Sequence, residues 1–194
     1  YKDENEFIGN LLAEISLIKN SRIDIENFYS GVCGEEIFRD IYKKYETRLK
    51  ENRLIDFDDM LSYTYELFKE RPDILALWQN KYKYILIDEF QDINRLQYEI
   101  IKMLAAPQNN LFIVGDDDQS IYRFRGSKPE IMLGFEKDYP NAKRILLDTN
   151  YRCGRYIVEA SLNLISHNRE RFDKKIIAAS KSKAPVTFAD FENR

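Results

Sequence analysis

The first third of the chain carries apolar residues at the spacing of amphipathic helices. They recur through residues 7–18 and 37–49, with a polar break between the two runs. A third run begins near Asp56 and stops or restarts at Pro72, because proline cannot continue the hydrogen-bond ladder of a helix. Two helices alone make a thin core, so we expect the first two to pack on a partner helix or on the domain that follows.

After residue 83 the pattern changes to short apolar runs that alternate with helices. Strands are predicted over residues 84–88, 111–115 and 144–148, and helices over about 94–105 and from Pro129, with Ser127 as a candidate cap. Such repeats predict a parallel sheet with right-handed crossovers, so the three strand ends should lie along one edge. The predicted fold class is therefore α/β, a parallel sheet flanked by helices and preceded by an all-helical subdomain.

Polar and charged side chains follow each predicted strand. Asp88 ends the first strand and Glu89 follows it, residues 116–119 follow the second, and Asn150, Tyr151 and Arg152 come after the third. In an extended chain Asp88 and Glu89 would point to opposite sides, so that one could hold a cation while the other faces a water molecule. Carboxylates that bind magnesium or orient water, together with an arginine, suit phosphoryl transfer.

Composition narrows the class of protein. The chain has 194 residues, of which 44% are hydrophobic and 32% charged, as in a soluble globular protein. No apolar run could span a membrane, and the first residues do not resemble a signal peptide, so the expected setting is the cytoplasm. Cys33 and Cys153 lack metal-site spacing and are expected to be free, and His167, the only histidine, is expected on the surface.

The net charge and the absence of one loop motif from the sequence limit the possible functions further. A net charge of −3 argues against a uniformly basic nucleic-acid face but allows a local groove. The chain contains no Gly-x-x-x-x-Gly-Lys-Ser/Thr loop to cradle phosphates, and residues 126–128 are expected to form a turn before a helix.

Four segments in a fixed order resemble motifs of one enzyme family. Residues 85–92 (ILIDEFQD), 115–126 (GDDDQSIYRFRG) and 147–152 (LDTNYR) resemble the second, third and fourth motifs of the UvrD/Rep family of superfamily 1 DNA helicases. Residues 56–61 (DFDDML) resemble the segment where such chains return from an inserted helical subdomain to the first motor domain. The resemblance covers residues 11–175 and implies a RecA-like fold of the P-loop nucleoside triphosphatase type, with ATP and Mg²⁺ as cofactors.

The resemblance also implies roles for residues at the nucleotide. Asp88 is expected to be the magnesium-associated acid and Glu89 the carboxylate that activates water. Gln119 is expected to sense the γ-phosphate, and Arg152 to reach it from a domain interface.

A second group of residues falls where the family contacts single-stranded DNA or couples it to the nucleotide. These residues are Tyr122, Phe124 and Arg125. Aromatic rings suit this role because every base offers a π-face for stacking. Phe124 stands where many relatives have tryptophan, and burial in the core is the alternative for that ring.

The resemblance implies that this chain is an interior piece of a helicase. We expect residues 1–54 to form a helical insertion subdomain, residues 55–170 the later part of the first RecA-like motor domain, and residues 171–194 a linker and the start of a second motor domain. The expected partners are single-stranded DNA, junctions of single and double strands, and the remaining motor domains, without a membrane. Because it lacks the phosphate-binding loop, the chain alone is not expected to hydrolyse ATP.

Three functional interpretations remain open. The first is a piece of an ATP-driven helicase, with three-prime to five-prime movement implied, in DNA repair or replication, or of a helicase-nuclease. The second is a non-catalytic interaction module that retains the fold. The third is a magnesium-dependent phosphatase or nuclease, which Gln119 and Arg152 disfavour because a two-metal site would need more carboxylates or histidines.

Overall fold

The computed structural model describes residues 4–121, 127–180, 182, 184, 186 and 187. The chain divides into two compact units, Tyr1–Met132 and Leu133–Arg194, and each is described by itself. Helices and parallel strands are present in both, as the α/β prediction requires. None of the described helices combines the length and the apolar character needed to cross a membrane.

Helices make up most of the first unit. In chain order the longer ones are α1 (Glu4–Ser21), α2 (Glu35–Glu51), α3 (Phe57–Glu70), α4 (Pro72–Lys81) and α5 (Arg95–Ala105). α1 and α2 bury a shared apolar cluster, with Ile18 and Phe38 almost fully enclosed. α1 also packs on α3 and α5, so the first helix contacts the elements that follow, as one of the two alternatives predicted.

Side-chain caps stabilise the N-terminal ends of α3 and α5. Asp56 accepts a hydrogen bond from the Asp59 backbone N–H, and Asn94 accepts one from the Gln97 backbone N–H, each as part of a reciprocal capping box. Each cap satisfies backbone donors that the first turn of a helix leaves unpaired. The predicted starts of these helices, near Asp56 and Asn94, are confirmed.

A buried lysine ties α1 to the start of α3. The Lys19 ammonium lies 2.7 Å from Glu46 Oε1, 2.7 Å from Asp56 Oδ2 and 2.8 Å from Asp59 Oδ1. Burial alone would lower the pKa of Lys19, but hydrogen bonds to these three carboxylates outweigh it and raise the pKa above its usual value. The lysine therefore stays charged and lies among three carboxylates, one from α2 and two from the start of α3.

The sheet of the first unit is parallel, as predicted. β1 (Ile85–Ile87) pairs with β2 (Leu111–Ile113), with Ile85 opposite Leu111 and Ile87 opposite Ile113. α5 forms the crossover between them, and its apolar face packs with α3 and α4 around Phe68, Leu96 and Ile100. This strand-helix-strand unit brings the carboxyl ends of β1 and β2 side by side. α6 (Pro129–Leu133) follows in the chain.

The Ser127 prediction is wrong. Its hydroxyl is buried and has no hydrogen-bond partner among the described residues, so it does not cap α6. A backbone bond from the Lys128 N–H to the Ile93 carbonyl, 3.2 Å long, holds this segment instead.

The second unit has its own strand-helix-strand arrangement. It contains α7 (Phe135–Asp138), β3 (Thr149–Gly154), α8 (Arg155–Ile165) and β4 (Ile177–Ser180). β3 and β4 are parallel, with an irregularity between Asn150 and Gly154, and α8 packs on both strands.

Two predictions about this region are wrong. No strand is described over residues 144–148, where Ile145 and Leu147 are about four-fifths exposed, because the strand that finds a partner begins at Thr149. The described strands form two separate pairs, so one edge with three strand ends is not observed. The strand expected from residue 184 falls largely outside the described residues.

Candidate functional site

The loops that follow β1 and β2 run together beyond the strands. The Val114 N–H donates to the Ile87 carbonyl at 2.8 Å, and the Phe90 N–H donates to the Val114 carbonyl at 2.9 Å. Phe90 itself is fully buried and packs edge-on against Tyr98 of α5. The acidic turn after β1 is therefore anchored both to the next strand and to the crossover helix.

Glu89 adopts an unusual backbone conformation. Its φ of 51° and ψ of 41° lie in the left-handed region, which side-chain-bearing residues rarely occupy. The expectation that Asp88 and Glu89 are adjacent residues of an extended chain is therefore wrong at Glu89. The turn is closed by the Glu89 N–H donating to Asp88 Oδ1 at 2.9 Å, and by the Asp92 N–H donating to the Glu89 carbonyl at 2.9 Å.

An open cavity of about 510 Å³ lies where these two loops meet. Both loops contribute to its lining, which consists of Glu89, Gln91, Asp92, Asp118, Gln119 and Ile121. Two of the sequence-predicted site residues, Glu89 and Gln119, therefore face one cavity. Their side chains are exposed, and Gln119 Nε2 donates to Asp116 Oδ2 at 2.8 Å within its own loop.

Oxygen donors suitable for a hard cation occur in both loops that line this cavity. Asp88, which precedes Glu89, is exposed but is not among the lining residues, and Asp92 Oδ1 is buried with no hydrogen-bond partner among the described residues. Asp116, Asp117 and Asp118 each place a carboxylate oxygen within 4.8 Å of the others. Carboxylate oxygens are the ligands that Mg²⁺ takes in proteins while keeping several waters. The donor set thus fits Mg²⁺ chemically.

The remaining predicted residues are not brought to this cavity by the described structure. Arg152 is an exposed residue of β3 in the second unit, where its N–H donates to Asn150 Oδ1 at 2.9 Å. Tyr122, Phe124 and Arg125 lie outside the described residues. Their roles therefore stay predictions.

A sequence profile of the UvrD/REP helicase N-terminal domain matches residues 2–140, which include both loops of the cavity. The chain belongs to the UvrD/Rep helicase family. The YjcD protein of Bacillus subtilis (strain 168) is 47% identical over 193 residues, which cover 98% of this chain and 25% of that protein. The ATP-dependent DNA helicase PcrA of the same organism is 43% identical over 170 residues, which cover 86% of this chain and 23% of that protein. PcrA of Leuconostoc citreum is 38% identical over 180 residues, which cover 92% of this chain and 24% of that protein.

This UvrD/Rep-family chain spans about a quarter of the length of the curated relatives that it matches. The family match places the acidic turn and the Gln119 loop within a helicase domain.

Gln91 is one of the cavity-lining residues of this UvrD/Rep-family chain to which the sequence interpretation gave no role. Its side chain is 1% exposed and lies between the two loops. A signal was present in the sequence: an uncharged amide stands between Glu89 and Asp92, in a turn that otherwise carries acids. Large polar side chains are seldom fully buried unless they are hydrogen-bonded. The apolar pattern alone did not predict that this turn is buried, so the contacts of Gln91 were not predicted.

Proposed function

We propose that this chain is part of an ATP-dependent DNA helicase that couples ATP hydrolysis to movement along single-stranded DNA and to unwinding of duplexes. The observation that carries the proposal is that Glu89 and Gln119, from two separate family motifs, line one cavity at the carboxyl ends of parallel strands. In open α/β sheets this edge is where ligands bind. The helicase names of the PcrA relatives support the same activity.

Within this proposal the acids of the first loop have different roles in ATP hydrolysis. Glu89 would accept the proton of the water that attacks the γ-phosphate, because a positioned carboxylate is a suitable general base. Asp88 and Asp92 would hold Mg²⁺, which when bound would offset negative charge on the phosphates. Gln119 would donate an amide hydrogen bond to the γ-phosphate, and Arg152 would stabilise charge on the transferring group once the motor domains are assembled.

The loop that follows Gln119 would carry the DNA side of the function. Tyr122 and Phe124 would stack on bases and Arg125 would contact the backbone or link it to the nucleotide. Few residues separate Gln119 from these rings, so a shift at the γ-phosphate could alter DNA contacts, provided that each ligand distinguishes the two loop positions. Movement from three-prime to five-prime, and substrates that contain junctions of single and double strands, complete the proposal.

The proposed organisation follows the family pattern. Residues 1–54 would be a helical insertion, residues 55–170 the later part of a first RecA-like motor domain, and residues 171–194 a linker and the start of a second motor domain. The polypeptide would act in the cytoplasm, in DNA repair or replication. On its own the 194-residue chain would not turn over ATP, because binding of the nucleotide phosphates needs a Gly-x-x-x-x-Gly-Lys-Ser/Thr loop, which its sequence does not contain.

The test uses the complete polypeptide that contains this chain. ATP hydrolysis is measured with and without single-stranded DNA, and unwinding is measured on duplexes with a three-prime or a five-prime tail. We expect DNA-stimulated hydrolysis and unwinding of the three-prime-tailed duplex. Hydrolysis that DNA leaves unchanged would contradict the helicase proposal, and unwinding from the five-prime tail alone would contradict the direction.

A further inference from the structure

The Gln91 amide joins the two loops of the cavity through both of its polar atoms. Its Oε1 accepts a hydrogen bond from the Asp116 backbone N–H at 3.0 Å. Its Nε2 donates to Glu89 Oε2 at 2.8 Å and lies 3.5 Å from Asp92 Oδ2. The Gln91 backbone carbonyl accepts a further bond from the Ser120 hydroxyl at 3.3 Å.

The orientation of this amide follows from its partners. A backbone N–H can only donate, so the amide atom facing Asp116 must be the oxygen. The NH₂ group must then face the Glu89 carboxylate, which can only accept when ionised. One buried side chain therefore accepts a hydrogen bond from the backbone of one loop and donates one to a carboxylate of the other.

Gly115 makes this approach sterically possible. A Cβ atom at position 115 would lie 2.6 Å from Gln91 Oε1, 3.1 Å from the Phe90 nitrogen and 3.2 Å from the Gln91 nitrogen. Two of these neighbours are backbone atoms, which cannot swing aside as a side-chain end could. The close contact of the two loops thus depends on an unsubstituted Cα at this position.

We propose that Gln91 is a positioning residue that sets the direction of the Glu89 carboxylate and fixes it relative to the Gln119 loop. The proposal rests on the proposed function, in which Glu89 activates water and Gln119 contacts the γ-phosphate. Glu89 lies in a left-handed backbone conformation and its side chain is exposed, so the Gln91 amide is the described contact that restrains its carboxylate. Gln91 acts through Glu89 and does not itself need to touch the nucleotide.

The experiment uses the complete polypeptide with Gln91→Met and Gln91→Glu. Methionine keeps an unbranched chain of similar length but forms no comparable hydrogen bonds. Glutamate keeps the acceptor for Asp116 but replaces the donor that faces Glu89. Misdirection of a catalytic group by a lost supporting contact typically costs about 10- to 100-fold in rate. We expect both variants to lower kcat for DNA-stimulated ATP hydrolysis by about this factor, with the KM for ATP within about threefold of the parent.

A matched control and a double variant separate positioning from a general loss of structure. Gln97→Ala removes a glutamine that caps α5 and does not line the cavity, and it should keep kcat within about twofold. In a Glu89→Gln background, Gln91→Met should lower the residual rate by less than about twofold, since a residue that acts through Glu89 has nothing left to position. A further tenfold loss in that background would overturn the proposal.

The outcomes also distinguish this inference from the proposed function. If Glu89→Gln keeps near-normal turnover, the assignment of the catalytic base is wrong and the role of Gln91 falls with it. If Glu89→Gln is inactive while Gln91→Met and Gln91→Glu retain the parent kcat, the inference about Gln91 alone is wrong. If either Gln91 variant raises the KM for ATP and leaves kcat intact, Gln91 serves nucleotide binding, and the positioning role is also overturned.

Discussion

At the scale of single residues, the candidate site depends on a strained backbone position at Glu89. For L-residues the left-handed conformation costs on the order of 1 kcal/mol relative to glycine. Residues held in such conformations concentrate at functional sites, where the surrounding structure maintains them. Here that surrounding structure includes the Gln91 amide and the backbone bond between Phe90 and Val114.

This strain leads to a stability prediction that needs no nucleotide. Glu89→Gly should be more stable than Glu89→Ala by about 1 kcal/mol, because only alanine retains the penalty for positive φ. Urea unfolding of the 194-residue chain measures the difference. The same pair of substitutions at Glu99, inside α5, should give the opposite order, since glycine weakens a helix interior. Alanine more stable than glycine at position 89 would contradict the assigned backbone conformation.

Phe124 provides a second test at this scale. If a base stacks on its ring, Phe124→Ala should weaken binding of single-stranded DNA to the complete polypeptide by about 1 to 3 kcal/mol. Fluorescence anisotropy with a labelled oligonucleotide measures the change. Phe124→Trp should retain the DNA affinity of the parent. Unchanged DNA affinity with lower thermal stability would instead assign the ring to the core.

At the scale of elements, the start of α3 combines a helix cap with a buried charge cluster. Burial would raise the pKa of Asp56, but hydrogen bonds from the Lys19 ammonium, the Asp59 N–H and the Tyr45 hydroxyl outweigh it and hold that pKa below its usual value. A carboxyl group whose pKa is lowered in the folded state contributes stability that is present above its unfolded pKa. That stability is lost as the pH falls through the folded value.

The pH dependence of unfolding tests this cluster. The free energy of unfolding of the parent chain should fall between about pH 5 and pH 2, and Asp56→Asn should reduce that slope. Asparagine is chosen because it caps helices about as well as aspartate, so the cap is kept while the charge is removed. Asp40→Asn, which removes an exposed carboxylate paired with Lys44, serves as the control and should leave the slope near that of the parent. Equal slopes for Asp56→Asn and the parent would remove Asp56 from the acid dependence.

Much of this level of structure could be predicted from the sequence. The apolar pattern placed the starts of α3 and α5 near Asp56 and Asn94, and β1 and β2 followed from apolar runs that end in acid. The run at residues 144–148 misled because apolarity alone does not provide a strand partner, and β4 pairs with residues 149–154 instead. The left-handed turn at Glu89 and the buried amide of Gln91 depend on tertiary contacts between two loops, which no local pattern encodes.

At the scale of the whole molecule, the chain carries the acids of the proposed nucleotide site, and its sequence contains no Gly-x-x-x-x-Gly-Lys-Ser/Thr loop. We expect the 194-residue chain to bind ATP-Mg²⁺ no more tightly than about millimolar and to show no DNA-stimulated hydrolysis. Isothermal titration calorimetry and a phosphate-release assay measure these quantities, with the complete polypeptide as the positive control. Micromolar affinity or turnover by the chain alone would mean that the nucleotide site is misplaced.

The central claim is that Glu89 activates the water that cleaves ATP in the complete polypeptide. The most direct measurement is the single-turnover rate of ATP hydrolysis for Glu89→Gln, with nucleotide affinity measured on the same protein. Glutamine preserves the shape of the side chain but cannot accept the proton, and loss of general base catalysis typically costs about 100- to 10,000-fold. We expect a rate lowered by that factor with ATP affinity within about threefold of the parent. Near-normal hydrolysis by Glu89→Gln would contradict the account.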